Sequence, residues 1–192
     1  MTRVPLVPDD AADDVAASVL EVFYAEGREP IALYRALANV PTMLRSYSVL
    51  ARSLRNDTVT DRRIRELVIL RTAQLTASAY EWSHHVPMAT AAGVHPEQIH
   101  ALEAWEESTA FDERERASLR CTDEVHALGV TDATFAELER VLGLTGALEI
   151  VLTASFYQAV ARMIQALDVD VEALYRAQLE GFGAVTTGEG SA

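Results

Sequence analysis

Apolar residues recur along this chain at intervals of three and four, and nowhere in strict alternation with β-branched enrichment, so the pattern predicts helices joined by short turns. Val15, Val19, Leu20, Val22 and Phe23 mark a first helix from about Asp10, closed at Glu26-Gly27, where glycine accepts the left-handed cap conformation. A second segment carries Ile31, Leu33, Leu37 and Val40; Pro41 marks a kink or a restart, with Asn39 as its cap. Met43, Leu44, Tyr47, Leu50 and Leu54 continue the stripe. Thr60 caps a helix over 61–77 with Asp61 as an acid in its first turn, small residues at 76–79 permit a bend, and the next helix runs over 78–92 to Gly93. Pro96 opens a short helix through Trp105, and Asp112 with Glu115 three residues on has capping-box spacing. Thr131 or Asp132 caps a helix over Phe135 to Leu142, and Gly143 and Gly146 bracket a turn. The stretch 147–167 is apolar nearly all round, which predicts the central helix of the domain. Residues 1–9, with Pro5 and Pro8, read as an extended arm and 181–192 as a flexible C-terminal tail, leaving one all-α domain over 1–180 with no repeat and no dividing linker.

Composition narrows the partners. Hydrophobic residues make up 49% of the chain and charged ones 23%, the balance of a globular domain with a sizeable core. Twenty-nine acidic against 16 basic residues give a net charge of -13, which argues against nucleic acid and against anionic membrane surfaces. The first residues lack the apolar run of a secretory signal, and the longest uninterrupted apolar runs fall short of the ~18 residues of a bilayer span, so a cytoplasmic location is expected. The lone cysteine, Cys121, excludes an internal disulfide and a Cys-x-x-Cys site, and its spacing from Leu119 and Val125 makes it a small buried residue.

Candidate chemistry concentrates between Glu66 and His85. On a helix over 78–92, Ser78, Glu81, His85 and Met88 share a face, and His84 points about 100° away. A carboxylate four residues before an imidazole suits proton transfer, because burial raises the acid's pKa while the partner's charge lowers it. If the bend brings Glu66 to that face, two carboxylates and an imidazole form a general acid/base site needing no cofactor and no metal. Tyr80, Trp82, His84 and Arg71 are the candidates for holding a small-molecule substrate, with Arg65 a further choice for its carboxylate. Other readings stay open. Glu81/His85 can be a solvated surface pair, and Tyr80 and Trp82 core aromatics. Glu81-x-x-His84 and Glu97-x-x-His100 have the spacing of di-iron bundles. The whole can also be a non-catalytic oligomer that binds a small ligand or a partner.

The run RIRELVILRTAQLTASAYEWSHHVPMATAAGV resembles the core motif of the carboxymuconolactone decarboxylase and alkylhydroperoxidase D-like superfamily, and a weaker resemblance extends from Asn39 to about Asp170. In the peroxidase branch a glutamate, a Cys-x-x-Cys pair and a histidine form a proton relay to a redox disulfide. Glu66 and His85 match the glutamate and histidine, whereas Ser78 and Glu81 stand at the cysteine positions, so the resemblance implies no thiol peroxidase. It implies instead the thiol-free decarboxylase branch: a cofactor-independent lyase or isomerase moving protons beside a carbonyl. His85 would be the proton donor, Glu81 its orienter or the base, and Glu66 would tune the pair. It further implies an alkylhydroperoxidase D-like fold assembled as a homo-oligomer, commonly a trimer or hexamer.

Overall fold

The computed structural model describes residues 2–179, all of whose regular structure is helical. The expected tail over 181–192 lies outside the described residues. The helices are α1 (Asp14–Ala25), α2 (Ala32–Leu37), α3 (Pro41–Asn56), α4 (Arg62–Leu75), α5 (Ala79–Ala91), α6 (Pro96–Ala101), α7 (Glu113–His126), α8 (Asp132–Leu167) and α9 (Ala173–Arg176). Most ends follow from the sequence. Thr131 accepts from Thr134 N, and Asp112 and Glu115 close a reciprocal capping box, whereas α4 is capped by Asp61, which accepts from Arg63 N at 2.8 Å, and not by Thr60, whose hydroxyl donates to Glu149. Glu115, fully buried, also pairs with Arg63 at 2.8 Å and accepts from Gln98, which ties α7 to α4 and α6.

Two further expectations need correction for local reasons. Asn39 does not cap α3, because the cap position immediately before Pro41 is Val40, which has no side-chain acceptor; Asn39 donates to the carbonyls of Pro5 and Ala36 instead. The extended arm is thereby pinned across the domain, and Arg3 N bonds Leu167 O at 2.8 Å. The stretch 147–167, expected as a central helix, does line the core but on one side only, and α4 is the more enclosed helix. Leu67, Leu70 and Ala73 of α4 pack on Trp82, Trp105, Phe111 and Leu119, while Ile64 and Val68 pack on Cys121, Leu138, Ile150 and Ala154. Only part of α8 faces that core; Leu144, Leu148 and Leu152 form an exposed stripe at intervals of four. Although α8 is long and apolar enough in one window to cross a membrane, half of that window is buried inside the domain and Gly143 (φ 72°, ψ 165°) breaks the helix, features of a core element. Cys121 is buried, and burial pushes its thiol up to about 11.

The bend that orients the site lies between α4 and α5. Ser78 N bonds Ala73 O at 2.8 Å and Ala77 N bonds Gln74 O at 3.0 Å, a Schellman closure with Ala77 in the left-handed region at φ 50°. An L side chain is strained there, so Ala77→Gly is expected to stabilise the fold by a few tenths to about 1 kcal/mol despite glycine's greater unfolded-state entropy. Urea unfolding reads the difference; a destabilised variant would mean the turn is held by contacts of the Ala77 methyl.

Candidate functional site

Glu66 sits on the second turn of α4 with its carboxylate 1% exposed, and the turn at 76–78 folds α5 back against it. Ser78 caps α5 by accepting from Glu81 N, so it builds the helix start and sets the phase of the residues that follow. One turn later stand Glu81 and His85, 5% and 6% exposed. His85 Nδ1 lies 2.8 Å from Glu66 Oε2, and His85 Nε2 lies 3.6 Å from Glu81 Oε2. The imidazole therefore bridges two carboxylates from two helices, sheltered from bulk water.

The two acids differ in environment. Burial pushes Glu81 up to about 7; the charges of His85 and Arg55 pull it back only in part, and Glu66 adds to the rise. Burial also acts to raise Glu66, but the His85 charge and hydrogen bond, helped by Arg62 at 3.4 Å, outweigh it and hold this carboxyl below its usual range. At neutral pH Glu66 is an anion that orients the ring, while Glu81 is poised between acid and base. Such a division between neighbouring carboxyls is the usual arrangement for running acid and base steps in one site.

Glu81 and His85 open onto a cavity of about 410 Å³ whose wall also includes Phe23, Tyr34, Tyr47 and Tyr157. Of the expected substrate contacts, Tyr80 and His84 line it. His84 does not point away. Its ring stacks between Tyr80 and Tyr175 with centroids 4.4 and 3.8 Å apart, and its Nε2 meets Glu172 Oε2 at 2.8 Å. Glu172 also accepts from Tyr80 Oη and Ala32 N; burial acts to raise its pKa, but the His84 hydrogen bond first, then the Ala32 N–H and the His84 charge, hold it below its usual range.

The other two stand elsewhere. Trp82, about a quarter turn round α5 from Glu81 and His85, packs into the core with Leu67 and Trp105. Arg71 forms a two-pronged ion pair with Asp123 at 2.6 and 3.0 Å and bonds Leu102 O, a bridge among α4, α7 and the turn after α6. Arg65 is likewise committed to the carbonyls of Thr60 and Arg55. The second Glu-x-x-His pair, Glu97 and His100, is exposed on α6 and does not join the site, and among the described residues no three His, Cys, Asp or Glu side chains are grouped to hold a metal ion.

Sequence reasoning missed Arg55, Glu172 and the part played by Tyr157. Arg55 sits two residues before Asp57 with no motif around it, and Glu172 lies more than 80 residues from the side chains it meets. Tyr157 is visible in the sequence only as one more aromatic of an apolar helix.

Residues 41–124 match the model of the carboxymuconolactone decarboxylase family. Among solved structures, the chain is similar to an uncharacterised peroxidase-related protein with an alkylhydroperoxidase AhpD core from Ralstonia eutropha JMP134, at 21% identity and a TM-score of 0.77 over 91% of this chain and 94% of that one. It is equally similar to the debrominase Bmp8, seen as a substituted variant in complex with 2,3,4-tribromopyrrole, at 20% identity and a TM-score of 0.78 over 94% and 96% of the two chains. A protein of unknown function from Agrobacterium tumefaciens, described as an antioxidant defence protein of the AhpD kind, aligns at 20% identity and a TM-score of 0.66 over 71% and 94%. These identities establish a shared fold. No functionally curated protein matches the chain in sequence.

Proposed function

We propose that this chain, whose residues 41–124 match the carboxymuconolactone decarboxylase family model and whose fold is that of AhpD-like structures, is a cofactor-independent acid/base enzyme that decarboxylates or isomerises a small carboxylated, carbonyl-containing substrate. The observation that carries the reading is the buried chain Glu66–His85–Glu81 opening onto an aromatic-walled cavity. Thiol peroxidase chemistry has little to work with, since the sole cysteine is buried on α7 and does not line that cavity.

In this mechanism Glu66, as an anion, accepts from Nδ1–H and fixes the ring so that Nε2 faces Glu81 and the cavity. For decarboxylation, the electron pair of the breaking C–C bond moves into the adjacent carbonyl, giving an enolate and carbon dioxide. A proton from His85 or the neutral Glu81 then goes to carbon, and water replaces it. For isomerisation the Glu81–His85 pair takes a proton from one carbon and returns it to another. Self-association belongs to the same proposal: Leu144, Leu148 and Leu152 are an apolar stripe that a second copy would cover.

The test is solvent deuterium. Cyclic and acyclic β-keto and vinylogous acids are incubated with the protein in D2O and followed by NMR. Protein-dependent deuterium at the carbon beside the carbonyl, with or without release of carbon dioxide, is the expected result. Binding of these acids with neither outcome would overturn the enzymatic reading and leave a ligand-binding protein.

A further inference from the structure

Arg55 is a half-buried cation of the cavity that forms no ion pair among the described residues. The other arginines of the wall are paired or in solvent: Arg28 pairs with Glu26, Arg62 with Glu66, and Arg52 is exposed. Arg55 differs. It is the penultimate residue of α3, its carbonyl is anchored by Arg65 at 2.8 Å, and its side chain turns inward to line the cavity with Glu81 and His85. The guanidinium lies against the hydroxyls of Tyr34 from α2 and Tyr157 from α8. Among the described residues no carboxylate stands within 4.0 Å of it. Two carboxylates act on it from further away: Glu26, already paired with Arg28, and Glu81, which burial raises to about 7 and which is therefore only partly charged at neutral pH. Tyr157, 3% exposed, adds a second signal, because its buried Oη has no hydrogen-bond partner of good geometry. Burial pushes this hydroxyl well above its ordinary range, so it stays protonated and able to donate.

A partly buried guanidinium without an anion and a buried hydroxyl without an acceptor, side by side in one cavity, are both costly unless something fills them. A single ligand group answers both: a planar anion with two acceptor oxygens, which the guanidinium fork receives from one side and the phenol from another. We propose that Arg55, with the Tyr157 hydroxyl beside it, is the receptor for a carboxylate that the substrate keeps throughout the reaction. The leaving carboxylate of a decarboxylation does not belong there, because a guanidinium would stabilise the ground state and raise the barrier. A decarboxylated substrate therefore carries two acid groups and an isomerised one at least one, and in both cases the product is still an anion. The ring faces of Phe23, Tyr34 and Tyr47 favour a flat, unsaturated body between the receptor and His85.

The receptor rests on the acid/base reading only for what happens to the bound acid, and it is tested by binding alone. Benzoate and its uncharged counterpart benzamide are titrated into the full chain and followed by NMR. Wild-type protein is expected to bind benzoate in about the millimolar range and benzamide at least about tenfold more weakly. Arg55→Met should erase that preference and Arg55→Lys should keep part of it. Arg45→Met, which removes the same charge from an exposed position on the same helix outside the cavity, should keep it whole. Benzoate binding is read without any turnover, so loss of the anion site is measured separately from loss of the acid/base chemistry. Arg55→Gln replaces the Met variant should the latter fail to fold. An unchanged preference for benzoate in folded Arg55→Met or Arg55→Gln would overturn the proposal, as would no saturable benzoate binding by wild type up to about 50 mM, a concentration more than tenfold above a millimolar Kd.

Discussion

Replacing His85 with Asn is expected to lower turnover of an established substrate by about 10²- to 10⁴-fold, the usual worth of a positioned acid or base. Asn fills a similar volume and can still meet Glu66 through its amide, so the buried pocket keeps its shape while the titrating group is gone. Glu66→Gln should fall in the same range but nearer its lower end. The amide oxygen of Gln can accept from Nδ1–H and keep the ring in place, yet the imidazolium formed during the proton transfer loses the anion now 2.8 Å away. The signature lies in kcat rather than KM, because Glu66 does not line the cavity and has no contact to offer a bound substrate. Folded variants that both retain full turnover would remove the relay from the chemistry.

How much of this site could be read from the chain depends on how local each contact is. Glu81 and His85 are four apart on one helix, so periodicity alone put them together, and the small residues before them signalled the turn that Ala77 makes. Glu66 was within reach because that turn is tight and only 19 residues separate it from His85. Helix caps at Asp112 and Thr131 were legible for the same reason, and the cap of α4 was read one residue early, at Thr60 instead of Asp61. What failed was the direction of side chains on helices buried on several sides. Trp82 is one residue from Glu81 and so points into the core, and Arg71, five residues along α4 from Glu66, faces α7 and Asp123. Apolar content likewise could not tell α4, which is enclosed although its first turn is rich in arginine, from α8, which leaves a leucine stripe exposed. Arg55 and Glu172 reach the cavity from the end of α3 and from the segment before α9, and neither has a spacing relation to α5 that a sequence pattern can express.

Glu81→Gln should make the protein more stable at neutral pH while disabling it. The Glu81 carboxyl is 5% exposed and titrates near 7 in the folded chain, against an ordinary value of 4.5. Between those two pH values the unfolded chain has already released this proton and the folded chain still holds it, so stability falls as pH rises through the interval and levels off above it. The loss over the whole interval is up to about 3 kcal/mol, at 1.36 kcal/mol for each unit of displacement. Glu66 works in the opposite sense: its lowered value contributes stability above the ordinary carboxyl range that is lost as pH falls through the folded value, so wild-type stability is a sum of two opposed slopes. Subtracting the urea-derived stability of wild type from that of Glu81→Gln cancels the Glu66 contribution to first order. The difference should grow in favour of the variant between about pH 5 and about pH 8, where the penalty for the buried charge is complete. Turnover should fall in the same variant, and the limb of the wild-type pH profile near neutrality should vanish with it, since a neutral amide can neither give nor take the proton. A stability difference that stays flat across that range would show that Glu81 ionises as an ordinary exposed carboxyl does. Its place opposite His85 would then be a matter of packing, and proton transfer would have to run between His85 and the substrate alone.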